Sequence, residues 1–118
     1  MGIPVEPSDE AAPAPVLRLW RGATTPAQVP AYLEHLRTRV EPMLATLDGY
    51  LGVAVLTRPV EALVEIVVMT RWRSLADVTA FAAPDIDAAV VEPEARAVLA
   101  EYDDFVRHFS VAFEATRD

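Results

Sequence analysis

Two neighbouring runs of sequence, YLGVAVLTR (50–58) and ALVEIVVMTRW (62–72), decide the fold. Both are rich in valine, leucine and isoleucine, and short apolar runs of this kind, bounded by turn residues, are typical of strands. A turn that contains Pro59 joins them. The pair therefore predicts two consecutive strands that are connected directly.

On the amino-terminal side, VLRLWRGA (16–23) alternates and is rich in valine, leucine and tryptophan, which predicts a first strand closed by Gly22. Residues 24–47 predict an amphipathic helix, because a threonine cap and a proline in the first turn precede apolar residues at spacings of three and four. We expect a kink near Pro42, which lacks the N–H for a helical hydrogen bond. The apolar stripe consists of Val29, Leu33, Leu36, Val40, Met43 or Leu44, and Leu47.

On the carboxyl-terminal side, SLADVTAFA (74–82) predicts a second helix, with Ser74 as the cap and Asp77 at the capping-box position. A turn and a short third helix follow, and FVRHFSVAF (105–113) predicts the last strand. The order β-α-β-β-α-(α)-β is the split βαβ pattern. We therefore predict an α+β, ferredoxin-like βαββαβ fold with a four-stranded antiparallel sheet.

Length and composition fit one domain. The chain has 118 residues, and 53% of them are hydrophobic, which is enough for one core. We predict a single domain over residues 16–118, preceded by a proline- and alanine-rich arm over residues 1–15, where four prolines disfavour regular structure. The sequence contains neither a signal-peptide pattern nor an apolar run of membrane-spanning length, so we expect a cytoplasmic protein.

Charge and missing residue types exclude several classes of function. Lys+Arg of 10 against Asp+Glu of 18 gives a net charge of -8, which argues against nucleic acids and anionic membranes as partners. Without cysteine there is no thiol nucleophile or thiolate metal site, and without lysine there is no Schiff base. The two histidines lack the spacing of a metal site, and no phosphate loop is present. We therefore predict neither a metal nor a bound cofactor.

Strand alternation divides the predicted sheet into two faces. One face carries almost no polar group, so we expect it to lie under the helices. It consists of Leu17, Leu19, Leu51, Val53, Val55, Val64, Ile66, Val68, Phe109, Val111 and Phe113. The second face mixes aromatic, apolar and charged residues, namely Arg18, Trp20, Tyr50, Ala54, Leu56, Glu65, Val67, Met69, Arg71, Val106, His108 and Ser110.

No further helical layer is predicted to cover the second face. Large exposed apolar patches usually mark an interface, so we predict a homodimer that packs sheet against sheet. In that interface Glu65 would need an arginine partner such as Arg18 or Arg71, because a buried carboxylate without one is costly.

Three segments carry a family resemblance: WRSL (72–75), AFAAPDIDAAVVEPEA (80–95) and VRHFSV (106–111). Together with the order of elements, they resemble the antibiotic biosynthesis monooxygenase family of dimeric α+β barrel proteins. The resemblance implies a ligand cleft between the helices and the sheet. It also implies either cofactor-independent oxidation of aromatic polyketides, or the cyclase and isomerase reactions of the wider superfamily. The oxygenase members use an asparagine on the first strand, and this chain contains none.

Seven residues are candidates for the site. As catalytic residues we consider His108 as a general base, Trp72, which matches the tryptophan that lines the site in oxygenase members, and Tyr50 as a phenolic proton donor. Each has a structural alternative: an interface hydrogen bond for His108, and core packing for Trp72 and Tyr50. As substrate-binding residues we predict Tyr32, His35, Trp20 and Phe81.

These observations favour a homodimeric enzyme without a cofactor that oxygenates a hydrophobic aromatic or polyketide-like small molecule. An electron-rich phenolate can pass an electron to dioxygen once it is deprotonated, so the protein needs chiefly a base and a dry cavity. Two alternatives stay open: a cyclase or isomerase that uses histidine or tyrosine for proton transfer, and a homodimer that binds a ligand without catalysis.

Overall fold

A computed structural model of the chain describes residues 14–117. Strands β2 (Tyr50–Val60) and β3 (Leu63–Trp72) form the predicted antiparallel hairpin. Pro59 lies inside β2 and not in the turn, which fits an edge strand because proline cannot donate a ladder hydrogen bond. The turn is made by Glu61 and Ala62, and Glu61 has a φ of 56°.

Strand β1 (Val16–Thr24) lies in the middle of the sheet and pairs antiparallel with β3. Its other edge is covered by two short strands, β4 (Glu101–Tyr102) and β5 (Arg107–Ser110). The predicted last strand is β5, which is shorter than expected, whereas β4 was not predicted and makes the sheet five-stranded. The order β2-β3-β1 followed by these two strands confirms the antiparallel α+β fold.

The predicted first helix is continuous from residue 26 to 44 but changes its winding. It begins with a 3₁₀ turn (Pro26–Gln28) and continues as α1 (Val29–His35), a π-helical turn (Leu36–Val40) and α2 (Glu41–Leu44). The irregularity that we predicted near Pro42 takes the form of this π turn, since Pro42 cannot close the normal bond. Thr25 lies at the N-cap position but makes no side-chain cap bond.

Two further helices follow β3. Helix α3 (Leu75–Ala82) begins as predicted, with the Asp77 backbone N–H donating to Ser74 Oγ at 3.3 Å. Helix α4 (Pro93–Val98) is the predicted short third helix. No helix within residues 14–117 is both long and apolar enough to cross a membrane. Residues 1–13 of the predicted arm lie outside the described residues, so the division into arm and domain stays a prediction.

The predicted face assignment is wrong for β1 and β5. Arg18 pairs directly with Thr70 on one side and with His108 on the other, and cross-strand partners share a face. Since Trp72 and Ile66 are fully buried under the helices, Arg18 and His108 lie on that side as well. The residues displaced to the outer face are Leu17, Leu19 and Phe109. Val111 and Phe113 lie beyond the end of β5, and Phe113 is 86% exposed instead of lying under the helices.

The predicted faces of Tyr50 and Leu51, at the start of β2, are also wrong. The register shifts between Tyr50 and Gly52, a bulge that turns Leu51 to solvent. The Tyr50 ring instead packs edge-on against Trp72, with centroids 5.6 Å apart.

Candidate functional site

A cavity of about 80 Å³ lies between the sheet and the helices. Two packed clusters border it, one around Tyr32, Leu36 and Ala95 and one around Leu44 and Phe81. The lining is mostly apolar, as ligand cavities usually are, with a few polar groups that can orient a ligand. The polar groups come from Arg18, Thr70, His35, Glu41 and Glu92.

Aromatic rings form much of the wall. Trp20 on β1 stacks on Tyr32 of α1, with centroids 6.1 Å apart and planes inclined by 21°. Phe81 of α3 stacks on Trp72 at 6.0 Å and carries the Arg18 guanidinium 5.5 Å above its own ring centre. All four residues predicted for substrate binding, Tyr32, His35, Trp20 and Phe81, line this one cavity. Their role in binding stays a prediction.

His35, the last residue of α1, is the least satisfied polar group of the cavity. Its side chain is only 9% exposed, and Nε2 lies 3.3 Å from Glu92 Oε1. The two atoms lack hydrogen-bond geometry, so Nε2 is a buried polar atom without a partner among the described residues. Because nearly all buried polar atoms are hydrogen-bonded, such an exception calls for an explanation, and a ligand is one.

Arg18 supplies a buried cation to the floor of the cavity. The residue is 4% exposed, and Nη1 donates to Ile86 O at 2.5 Å while Nη2 donates to Ala88 O at 2.9 Å. These bonds tie β1 to the segment between α3 and α4. Burial lowers the pKa of Arg18, yet arginine keeps its proton at neutral pH.

His108 on β5 faces Arg18 and makes a hydrogen bond through one of its ring nitrogens. Arg18 Nη1 lies 2.9 Å from Nε2, and because a guanidinium can only donate, Nε2 is the acceptor. The ring proton is therefore on Nδ1, 3.5 Å from Asp87 Oδ1. Burial and, next, the Arg18 charge lower the pKa of His108 below its usual value, against the opposing effect of Asp87. The ring lies outside the cavity lining, and its catalytic role stays a prediction.

The other two predicted catalytic residues also lie behind the cavity wall. Trp72 is fully buried and donates its Nε1–H to Thr70 Oγ1 at 2.9 Å. The Tyr50 hydroxyl donates to Glu41 Oε2 at 3.1 Å, and burial together with that carboxylate raises the pKa of Tyr50 to about 12. Burial also raises the pKa of Tyr32. Neither phenol is therefore ready to lose its proton near neutral pH.

Sequence analysis missed four polar residues of the cavity: Arg18, Glu41, Thr70 and Glu92. An arginine between two leucines of an apolar strand was a visible signal for Arg18, but it was assigned to the outer face. Glu92 had no local signal, because only the fold brings it to His35. Within residues 14–117 no three histidine or acidic side chains are grouped so that they could hold a metal ion.

Comparisons with known proteins agree with the fold. A Bacillus cereus protein of known crystal structure, which carries the name "putative antibiotic biosynthesis monooxygenase", superimposes on this chain with a TM-score of 0.63 at 17% sequence identity. The match covers 88% of this chain and 99% of that one, and at this identity it shows the fold alone. No curated protein matches the sequence. The family model for antibiotic biosynthesis monooxygenases matches residues 20–92, so the chain belongs to the antibiotic biosynthesis monooxygenase family, as its resemblance implied.

Proposed function

We propose that the chain is a monooxygenase that acts on small hydrophobic aromatic compounds of secondary metabolism, without a bound cofactor. The observation that carries this proposal is the unpartnered Nε2 of His35, buried in a cavity walled by Trp20, Tyr32 and Phe81. A group of this kind is costly to fold, and it becomes useful when a bound substrate brings it a proton.

In this mechanism His35 is the general base. A ring hydroxyl of the substrate gives its proton to Nε2, and the resulting phenolate passes one electron to dioxygen. The phenoxyl radical and superoxide then combine at a ring carbon that carries hydrogen, and the hydroperoxide loses water to leave a quinone, so the substrate supplies both electrons that reduce the second oxygen atom. Glu92 Oε1, 3.3 Å from Nε2, stabilises the imidazolium that forms. The aromatic wall excludes water, which strengthens these charge interactions.

The size of the cavity bears on the substrate. At about 80 Å³ it lies well below the roughly 300–1,000 Å³ of drug-sized ligand sites. A single aromatic ring therefore suits the cavity as it stands better than a fused polyketide. A polycyclic substrate would require the segment between α3 and α4, which Arg18 holds through Ile86 O and Ala88 O, to move outward.

An oxygen-uptake experiment tests the proposal. The purified protein is offered a panel of single-ring phenols, with uptake recorded by an electrode and ¹⁸O₂ incorporation by mass spectrometry. We expect uptake and label in the product for at least one phenol, and loss of both in His35→Gln. Product formation without uptake would instead identify a cyclase or isomerase, which the same His35 and Glu92 pair can serve. Binding without any product would leave the non-catalytic alternative.

The homodimer belongs to the same proposal. The outer face presents the apolar residues Leu17, Leu19, Leu56, Val67, Met69 and Phe109, which a second copy can cover sheet to sheet. At its edge Glu65 pairs at 2.5 Å with Arg21 and with Arg58, not with Arg18 or Arg71 as the sequence suggested. Both arginines lower the pKa of Glu65, with Arg58 the stronger cause.

Sedimentation at micromolar concentration tests the dimer, which should have twice the chain mass of 12.9 kDa. A species of 12.9 kDa alone would contradict it. The proposed location is the cytoplasm, which cell fractionation can test.

A further inference from the structure

The buried charge of Arg18 has no carboxylate partner within the part of the chain that the structure describes. Its hydrogen-bond partners are two backbone carbonyls and the neutral imidazole of His108, and the Phe81 ring lies 5.5 Å from its guanidinium carbon. Asp87, whose charge acts on Arg18 without a hydrogen bond, is 71% exposed and lies 3.5 Å from His108 Nδ1 instead. A buried charge is stable only when it is paired, so a neutral shell of this kind leaves part of the desolvation cost of Arg18 uncompensated.

Not all hydrogen-bond donors of the Arg18 guanidinium are used. It carries five N–H groups, and the three bonds to Ile86 O, His108 Nε2 and Ala88 O use three of them. The remaining N–H groups make no hydrogen bond to residues 14–117, and Arg18 is part of the cavity lining. The floor of the cavity therefore offers a positive charge whose rigid shape matches a carboxylate.

The other charges of the cavity lie on the opposite wall. Glu92 faces His35 at 3.3 Å, and Glu41 accepts the hydrogen bond of Tyr50 at 3.1 Å. Both belong to the helical side, whereas Arg18 lies on the sheet. An anion would thus be attracted to the floor and repelled from the helices, so the field of the cavity orients a ligand as well as holding it.

We propose that the ligand of this cavity is a single-ring aromatic carboxylate, with its carboxylate on Arg18 and its ring against Trp20, Tyr32 and Phe81. The inference rests on the proposed function, because it names the substrate class of the same site. His108 is a positioning residue in this arrangement, since its Nε2 fixes one nitrogen of Arg18. A hydroxyl on the far side of the ring then points to the wall that carries His35.

Benzoate and benzamide test the proposal, because they have nearly the same shape and differ in charge. Calorimetric titration at pH 7.5 should show benzoate binding at least about tenfold more tightly than benzamide, since hydrogen bonds to charged groups are the stronger kind. Arg18→Met should remove this preference by weakening benzoate about tenfold to a hundredfold while leaving benzamide unchanged. Arg18→Lys, which keeps the positive charge but not the planar set of N–H donors of the guanidinium, should retain part of the benzoate preference.

Equal affinity for the two probes in the unmodified protein would overturn the proposal, as would failure of both to bind. A benzoate preference that survives in Arg18→Met would overturn it as well. If Arg18→Met does not fold, the comparison of the two probes in the unmodified protein and in Arg18→Lys decides the matter. Because no turnover is measured, a confirmed benzoate preference without oxygen uptake would leave this inference standing while the proposed oxygenation fails.

Discussion

The two histidines occupy regions that differ in hydrogen bonding far more than in burial. The His35 side chain is 9% exposed and that of His108 is 11% exposed. Yet His108 accepts a hydrogen bond from Arg18, whereas Nε2 of His35 has no hydrogen-bond partner among the described residues, although Glu92 Oε1 lies 3.3 Å away. Burial alone therefore does not identify a reactive side chain. The unmet hydrogen bond separates the two, and it favours His35 as the base over the predicted His108.

Exchange of His35 should produce the largest effect. We expect His35→Phe to lower kcat about 10²- to 10⁴-fold, because a positioned general base contributes that much. Its stability should be unchanged or slightly raised, since the substitution removes a buried polar atom that had no partner. Oxygen uptake and urea unfolding measure the two quantities. A variant with normal turnover would transfer the role of base away from His35.

The matching exchange in the other region should mainly reduce stability. His108→Phe leaves a buried Arg18 N–H without its acceptor, which costs about 1–3 kcal/mol of unfolding free energy. His108→Gln, whose amide oxygen can replace Nε2 as acceptor, should recover part of this loss. Urea unfolding of the two variants measures the difference. Equal stabilities of His108→Phe and the unmodified protein would mean that the bond to Arg18 contributes nothing.

The sequence predicted the order of elements correctly, because that information is local. The β2–β3 hairpin, the Ser74 cap and the irregularity before Pro42 each follow from neighbouring residues. The face of β1 could not be found in the same way. Leucines alternate with Arg18 and Trp20, so both faces of the strand carry large apolar groups, and alternation does not say which is inner. Pairing with Thr70 decides it.

Only part of the site could be predicted, because some of its residues come together only through tertiary packing. Trp20, Tyr32, His35 and Phe81 were predicted to bind substrate, and all four line the cavity, although Trp20 was assigned to the outer face of the sheet. Glu92 lies 57 positions beyond His35 in the chain, and contacts over such distances depend on tertiary packing that periodicity does not encode.

Lowering the pH should have a smaller effect on the unfolding free energy than substitution of His108 has. The pKa of His108 is lowered in the folded protein by burial and by Arg18, so the unfolded chain takes up the proton first. The stability that neutral His108 contributes is full above the unfolded value of about 6.5 and is lost as pH falls through the lower folded value. His108→Gln should flatten this part of the curve. Urea unfolding between pH 7.5 and 5 checks it, and an unchanged slope in His108→Gln would contradict the assignment.

The smallest effect should come from a site that touches neither histidine. Ser74 caps α3 by accepting the Asp77 backbone N–H, and Ser74→Ala should cost about 1 kcal/mol of unfolding free energy. Since neither Ser74 nor Asp77 is part of the cavity lining, turnover and the benzoate preference should not change. Ser74→Ala thus serves as the stability control for the substitutions at the two histidines. If a loss of stability at α3 lowers turnover as much as His35→Phe does, then kcat reports global stability, and the contrast between the two histidines loses its chemical meaning.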